Sequence, residues 1–126
     1  MADPRAELIA TARALQPAGL NKGTSGNVSM RDNDGFLITP TGMPYDTLTP
    51  DDIPRVALDG SWSGARKPSS EWRFHRDLYA SRPEAGAVVH AHPPFAVALA
   101  CLRLDIPPFH YMIARFGGDT VRCAGY

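Results

Sequence analysis

Two histidines one residue apart, His90 and His92, follow the run Gly86-Ala87-Val88-Val89 and directly precede Pro93-Pro94. Small and β-branched residues favour extended backbone, and prolines can neither donate to a ladder nor continue it, so the run predicts a buried strand ending at His92. Alternate side chains of a strand share a face, which sets the two imidazoles on one side, about 7 Å apart along the backbone. Neutral imidazole is the commonest side-chain metal ligand, so the pair can converge on one cation. Upstream, Glu71 follows Ser69-Ser70 in the first turn of a predicted helix. A carboxylate there can simply answer the helix dipole, or it can act as a general base or a metal ligand if that turn lies against the histidine strand. His75, four residues on and on the same helical face, is read as a buried, hydrogen-bonded histidine in preference to a third ligand.

Three turns rich in hydroxyls or glycine recur: Thr24-Ser25-Gly26-Asn27, Thr41-Gly42 and Ser69-Ser70. Exposed backbone N–H groups in such turns, with those that open the following helix, can hold an anion without any lysine, and phosphate is the natural guest. Any one of these turns taken alone is read first as a good cap or turn former.

The elements that must position these residues follow from periodicity and breakers. Asp3-Pro4 predicts an N-cap and first helical position, with Leu8, Ile9, Ala12 and Leu15 at helical spacing to about residue 16. Asp32-Asn33-Asp34-Gly35 predicts a hairpin turn between strands over 28–31 and 36–39. Thr49-Pro50-Asp51-Asp52 reads as a short capped turn and 55–58 as another strand. The helix opened by Ser69-Ser70 should bury Trp72, Phe74, Leu78 and Tyr79 and end at Arg82-Pro83. A third, almost wholly apolar helix over 95–102 should be buried, 109–114 is a candidate strand, and 120–123 follows the turn Gly117-Gly118-Asp119.

Composition bounds the function. In 126 residues, 13 Lys and Arg balance 13 Asp and Glu, which argues against a nucleic-acid or membrane-surface role. No apolar segment at the N-terminus and no stretch of membrane-spanning length occur, so a cytoplasmic protein is expected. Cys101 and Cys123 are too few for a disulfide framework and are read as reduced packing residues. The 12 prolines and 11 glycines cluster between periodic segments, with no repeat and no linker, so one domain is expected over 1–126.

Taken in order and spacing, Thr24-Ser25-Gly26-Asn27-Val28-Ser29, Thr39-Pro40-Thr41-Gly42-Met43, Lys67-Pro68-Ser69-Ser70-Glu71, His90-Ala91-His92-Pro93 and His110-Tyr111-Met112-Ile113 resemble the class II aldolase/adducin family, and within it the L-fuculose-1-phosphate aldolase branch. The resemblance implies a three-layer α/β/α fold around a central mixed, largely antiparallel sheet. It also implies a zinc-dependent aldolase that splits a ketose 1-phosphate into dihydroxyacetone phosphate and an aldehyde. On this resemblance Gly26, Asn27, Thr41, Gly42, Ser69 and Ser70 match phosphate- and substrate-binding positions. His90 and His92 match two zinc ligands, and Glu71 matches the acid/base that can also ligate the metal. Tyr111 matches a tyrosine that reaches a neighbouring subunit's site in a homotetramer. The family's third zinc histidine lies beyond position 126, so the resemblance implies that the C-terminal part of the fold is missing, with weak or no activity of the chain alone. Rival expectations are an epimerase, dehydratase or decarboxylase of sugar phosphates on the same site, or a non-catalytic interaction module like the adducin head. The trio of Glu71, His90 and His92 argues against the last.

Overall fold

The computed structural model describes residues 3–125. Contacts divide the chain into two units, Met1–Ala91 and His92–Tyr126.

In the first unit, the Asp3 side chain accepts from the Arg5 amide at 2.9 Å and caps α1 (Pro4–Ala14), with Pro4 in its first turn. β1 (Asn27–Asp32) and β2 (Gly35–Ile38) pair antiparallel and close on Asp32 opposite Gly35, with Asn33 in the left-handed region at φ +51°. Asparagine tolerates that conformation, which is why this tetrapeptide turns the chain. β3 (Arg55–Ala57), β4 (Trp62–Ser63), α2 (Trp72–Ser81) and β5 (Ala87–His90) complete the unit. The sheet order is β4-β3-β2-β1-β5, and every pairing is antiparallel. The short β4 was not anticipated from the sequence; two exposed residues leave no periodic signal.

Strand alternation distributes the core to both sides of the sheet. Leu37 and Val28 join Leu8, Ile9 and Ala12 of α1, whereas Phe36 and Ile38 join Val56 and Tyr79 of α2. A helix therefore covers each face, giving the three layers expected. Two arginines fix the two helices in place. Arg13 donates from α1 to the carbonyls of Tyr45, Asp46 and Leu48. Arg31 of β1 donates to the carbonyls of Tyr79, Arg82 and Ala85 at the end of α2, at 3.0, 3.0 and 2.8 Å.

Three expectations for this unit need correction. The serine pair precedes α2 without capping it in the expected way: Glu71 itself is the N-cap residue, one position outside the helix. The inward stripe of α2 is Trp72, His75 and Tyr79, at i, i+3 and i+7, while Phe74 and Leu78 are 50% and 44% exposed. The facing strand presents Asn27 and Ser29, so polar side chains of the helix turn inward to meet them. The histidine strand stops at His90, not His92, and is only half-buried, because β5 lies at the edge of the sheet and pairs with β1 alone among the described strands.

The second unit holds α3 (Pro94–Cys101), a bridge between Ile106 and Val121, and a 3₁₀ turn over Tyr111–Phe116 closed by Gly117 in the left-handed region at φ +85°. Here α3 buries none of its residues, and Phe95 is 90% exposed, against the expected buried helix. Its apolarity demands cover that the described residues do not provide. The expected strand over 109–114 is instead the 3₁₀ turn, since a left-handed glycine closes a helical turn and not a ladder. The segment 120–123 forms only the Val121 bridge. Both cysteines are free thiols, and Cys101 is exposed, so it is no packing residue.

Candidate metal and anion site

Register builds the centre of the site. Asn27 at the start of β1 lies opposite His90 at the end of β5, and directly opposed residues of an antiparallel pair point to the same face. Ser29, two residues along, contacts α2, so Asn27 and His90 face α2 as well. The N-cap of that helix supplies Glu71. Its Oε2 accepts from Asn27 Nδ2 at 2.7 Å and lies 3.3 Å from His90 Nε2. The Phe74 ring stacks beside His90 with centroids 6.1 Å apart. His92 opens the second unit, but two peptide bonds tie it to His90, and one ligand atom from each of Glu71, His90 and His92 lies within 4.8 Å of the others. Two imidazoles and a carboxylate at such separations are the donor set that zinc and similar divalent cations take, so the residues fit the metal implied by the resemblance.

Behind Glu71 runs a buried polar chain. Asn27 Oδ1 meets His75 Nε2, His75 Nδ1 lies 2.6 Å from Ser29 Oγ, and Ser29 Oγ lies 2.8 Å from the Tyr79 hydroxyl. Ser29, His75, Tyr79 and Asn27 are all 3% exposed or less. Burial first, with the neighbouring His90 second, pushes the His75 pKa down to about 4, so the ring is neutral at pH 7. Burial also raises the Tyr79 phenol, which stays protonated. His75 is thus the buried, hydrogen-bonded histidine expected. Tyr79 is buried as expected, but the sequence reading gives neither it nor Ser29 a polar role, although alternation from Asn27 along β1 and the i, i+4 step from His75 along α2 mark both.

The three candidate anion turns converge on Thr39. Its amide donates to the Val28 carbonyl at 3.0 Å, and its carbonyl accepts from the Ser69 amide at 3.0 Å. Beside it the Thr41 amide donates to the Lys67 carbonyl, and Pro40 bridges Pro68. The picture of free amides needs correction: Thr41 and Ser69 spend theirs on backbone, Glu71 donates its amide to Ser69 Oγ at 3.3 Å, and Trp72 donates to the Ser69 carbonyl. What Thr41, Ser69 and Ser70 can offer an anion is chiefly hydroxyl groups, with Ser69 buried and Thr41 and Ser70 exposed. Gly42 is exposed at φ +69°. Gly26 is buried at φ +76°, and a Cβ there would run into the Asn21 side chain. Its carbonyl accepts from the Tyr45 hydroxyl at 2.5 Å. Tyr111 lies in the second unit, 80% exposed, its ring stacked on His110.

Comparison with known proteins gives the following. The family model described as the Class II Aldolase and Adducin N-terminal domain matches residues 6–126. A 5-methylthioribulose-1-phosphate/5-deoxyribulose-1-phosphate aldolase of Rhodospirillum rubrum is 55% identical over 119 residues, 94% of this chain and 54% of that protein. An L-fuculose phosphate aldolase of Escherichia coli is 48% identical over 120 residues, 95% of this chain and 56% of that protein. A solved L-fuculose 1-phosphate aldolase superposes with a TM-score of 0.87 at 39% identity, covering 97% of this chain and 59% of that one. The chain therefore spans little more than half the length of these relatives. Among the described residues no helix is long and apolar enough to cross a membrane.

Proposed function

This chain belongs to the class II aldolase and adducin family, and from that premise we propose that it carries the cation- and phosphate-binding part of a lyase that cleaves a ketose 1-phosphate, of the L-fuculose 1-phosphate kind, to dihydroxyacetone phosphate and an aldehyde. The observation that supports this most is the meeting of Glu71, His90 and His92 within 4.8 Å. These three would hold zinc or another divalent cation, which supplies a Lewis acid for the negative charge that develops on the ketone oxygen when the adjacent carbon–carbon bond breaks. Thr41, Gly42, Ser69 and Ser70, with Gly26 and Asn27, would bind the phosphate, using remote binding energy to hold the carbonyl in place. Asn27 engages Glu71 Oε2, which leaves Oε1 to carry the proton at the carbon beside the carbonyl. The exposed Tyr111 would give its proton to the aldehyde oxygen in a neighbouring subunit of a homotetramer. We place the whole of 1–126 in one domain of a cytoplasmic enzyme.

Elemental analysis tests the reading. After incubation with excess zinc and removal of free ion, one zinc per chain is expected, falling to a small fraction in Glu71→Gln and His90→Ala. A wild-type chain that retains no zinc would end the proposal.

A further inference from the structure

We propose that His75 is a positioning residue: a one-way hydrogen-bond relay, Tyr79 to Ser29 to His75 to Asn27 to Glu71, holds the Glu71 carboxylate in place. The inference deepens the proposed function and rests on it for the role of Glu71, but the direction of the relay follows from the donor and acceptor geometry around a neutral, buried His75.

The Asn27 amide nitrogen donates to Glu71 Oε2 at 2.7 Å. That assigns Oδ1, an acceptor, to the side facing His75 Nε2. His75 Nε2 must then carry the ring proton. In a neutral ring Nδ1 is left as a lone pair, and its partner at 2.6 Å, Ser29 Oγ, must donate. With its single proton committed, Ser29 can only accept from the group at 2.8 Å, the Tyr79 hydroxyl. Tyr79, kept protonated by burial, has that proton to give. Each step outward from Glu71 leaves one choice, and the Tyr79 hydroxyl can meet the last.

The consequence reaches the site. The Asn27 amide has two orientations related by a half-turn, and one would set its carbonyl against Glu71. The Nε2–H tautomer of His75 disfavours that orientation, because the flipped amide would face one donor with another. Ser29 in turn fixes the tautomer, which is how a hydroxyl two links away comes to orient a carboxylate. Outer hydrogen bonds of this kind typically set the direction and basicity of a liganding group.

The test begins with the metal-free wild-type chain and two-bond ¹H–¹⁵N spectra of the histidine rings near neutral pH. His75 should report a protonated Nε2 and an unprotonated Nδ1; the Nδ1–H tautomer or a charged ring would overturn the relay. The Asn27 side-chain amide should shift in Glu71→Gln, and an unmoved resonance would likewise overturn it. Zinc titration by calorimetry then compares variants. His75→Phe should weaken binding by roughly tenfold, and His75→Gln, which keeps a donor toward Asn27 Oδ1, should recover part of that. Full zinc affinity in a folded His75→Phe chain would refute the positioning role. Should that variant fail to fold, the tautomer and the Asn27 resonance still decide. A wild-type chain with the Nε2–H tautomer and the Glu71-dependent Asn27 shift but no zinc binding would support the relay and overturn the proposed function instead.

Discussion

Ser29→Ala deletes a single fully buried oxygen, yet it should be among the most damaging small substitutions in the first unit. Ser29 and His75 are fully buried and Tyr79 is 1% exposed. The change strips His75 Nδ1 of the donor at 2.6 Å and the Tyr79 hydroxyl of the acceptor at 2.8 Å. A buried donor or acceptor left unmet costs about 1–3 kcal/mol, so one unmet acceptor on His75 and one unmet donor on Tyr79 put the loss at roughly 2–6 kcal/mol. Removing the hydroxyl also removes its own desolvation cost, on the order of 1 kcal/mol, which leaves about 1–5 kcal/mol net. Tyr79→Phe should cost less, about 1 kcal/mol, because Ser29 keeps its bond to His75. In the double variant the phenol is no longer stranded, so the combined loss should fall short of the sum by about 1 kcal/mol or more. Urea unfolding followed by far-ultraviolet circular dichroism, with the m-value checked for constancy, measures all three. A Ser29→Ala loss under about 1 kcal/mol, or additivity within about 0.5 kcal/mol, would refute the reasoning.

Two further outcomes follow from the same unit. Arg31→Ala removes three bonds to carbonyls at and just beyond the end of α2 and a cation placed 4.7 Å over the Tyr79 ring. Urea midpoints should report a loss of about 2 kcal/mol, only partly restored by lysine, and a loss under about 0.5 kcal/mol would contradict the assignment. The second outcome concerns pH. His75 is depressed from 6.5 to about 4 by burial, so between those values the unfolded chain binds a proton that the folded chain does not. Stability is then fully present above pH 6.5 and declines as pH falls toward 4, by about 3 kcal/mol as an order of magnitude. In His75→Gln the slope of stability against pH across that window should flatten; an unchanged slope would assign it to other groups.

What could be read from the sequence depended on the range of the forces involved. The hairpin at Asn33-Asp34 and the cap at Asp3 arise from contacts within four residues, and both form as expected. The pairing of Glu71 with the histidine strand was stated as a condition, that one turn should lie against one strand end, and the structure brings Glu71 within 3.3 Å of His90. On α2 the inward positions Trp72, His75 and Tyr79 are those expected, while Phe74 and Leu78 are not inward, because apolarity alone turns them to the core whereas the polar strand opposite decides which side of the helix is buried. The same limit applies to α3 and β5. An apolar segment shows that its surface needs cover, but which chain segment supplies the cover is a property of the partner and cannot be read from the segment itself.

Fold and site in this chain depend on the same register of one strand. On β1, Val28 and Met30 face the apolar cluster under α1, while Asn27 and Ser29 face His75 and Glu71 under α2. A slip of one residue would reverse every side chain. Asn27 and Ser29 would enter the apolar cluster without partners, and Val28 and Met30 would confront a buried imidazole, a phenol and a carboxylate. Each fault costs several kcal/mol, on the order of the stability of a whole domain when summed. The polar relay therefore excludes the shifted pairing as strongly as the apolar face does. The register that buries Val28 is the same one that sets Asn27 opposite His90 and within reach of Glu71.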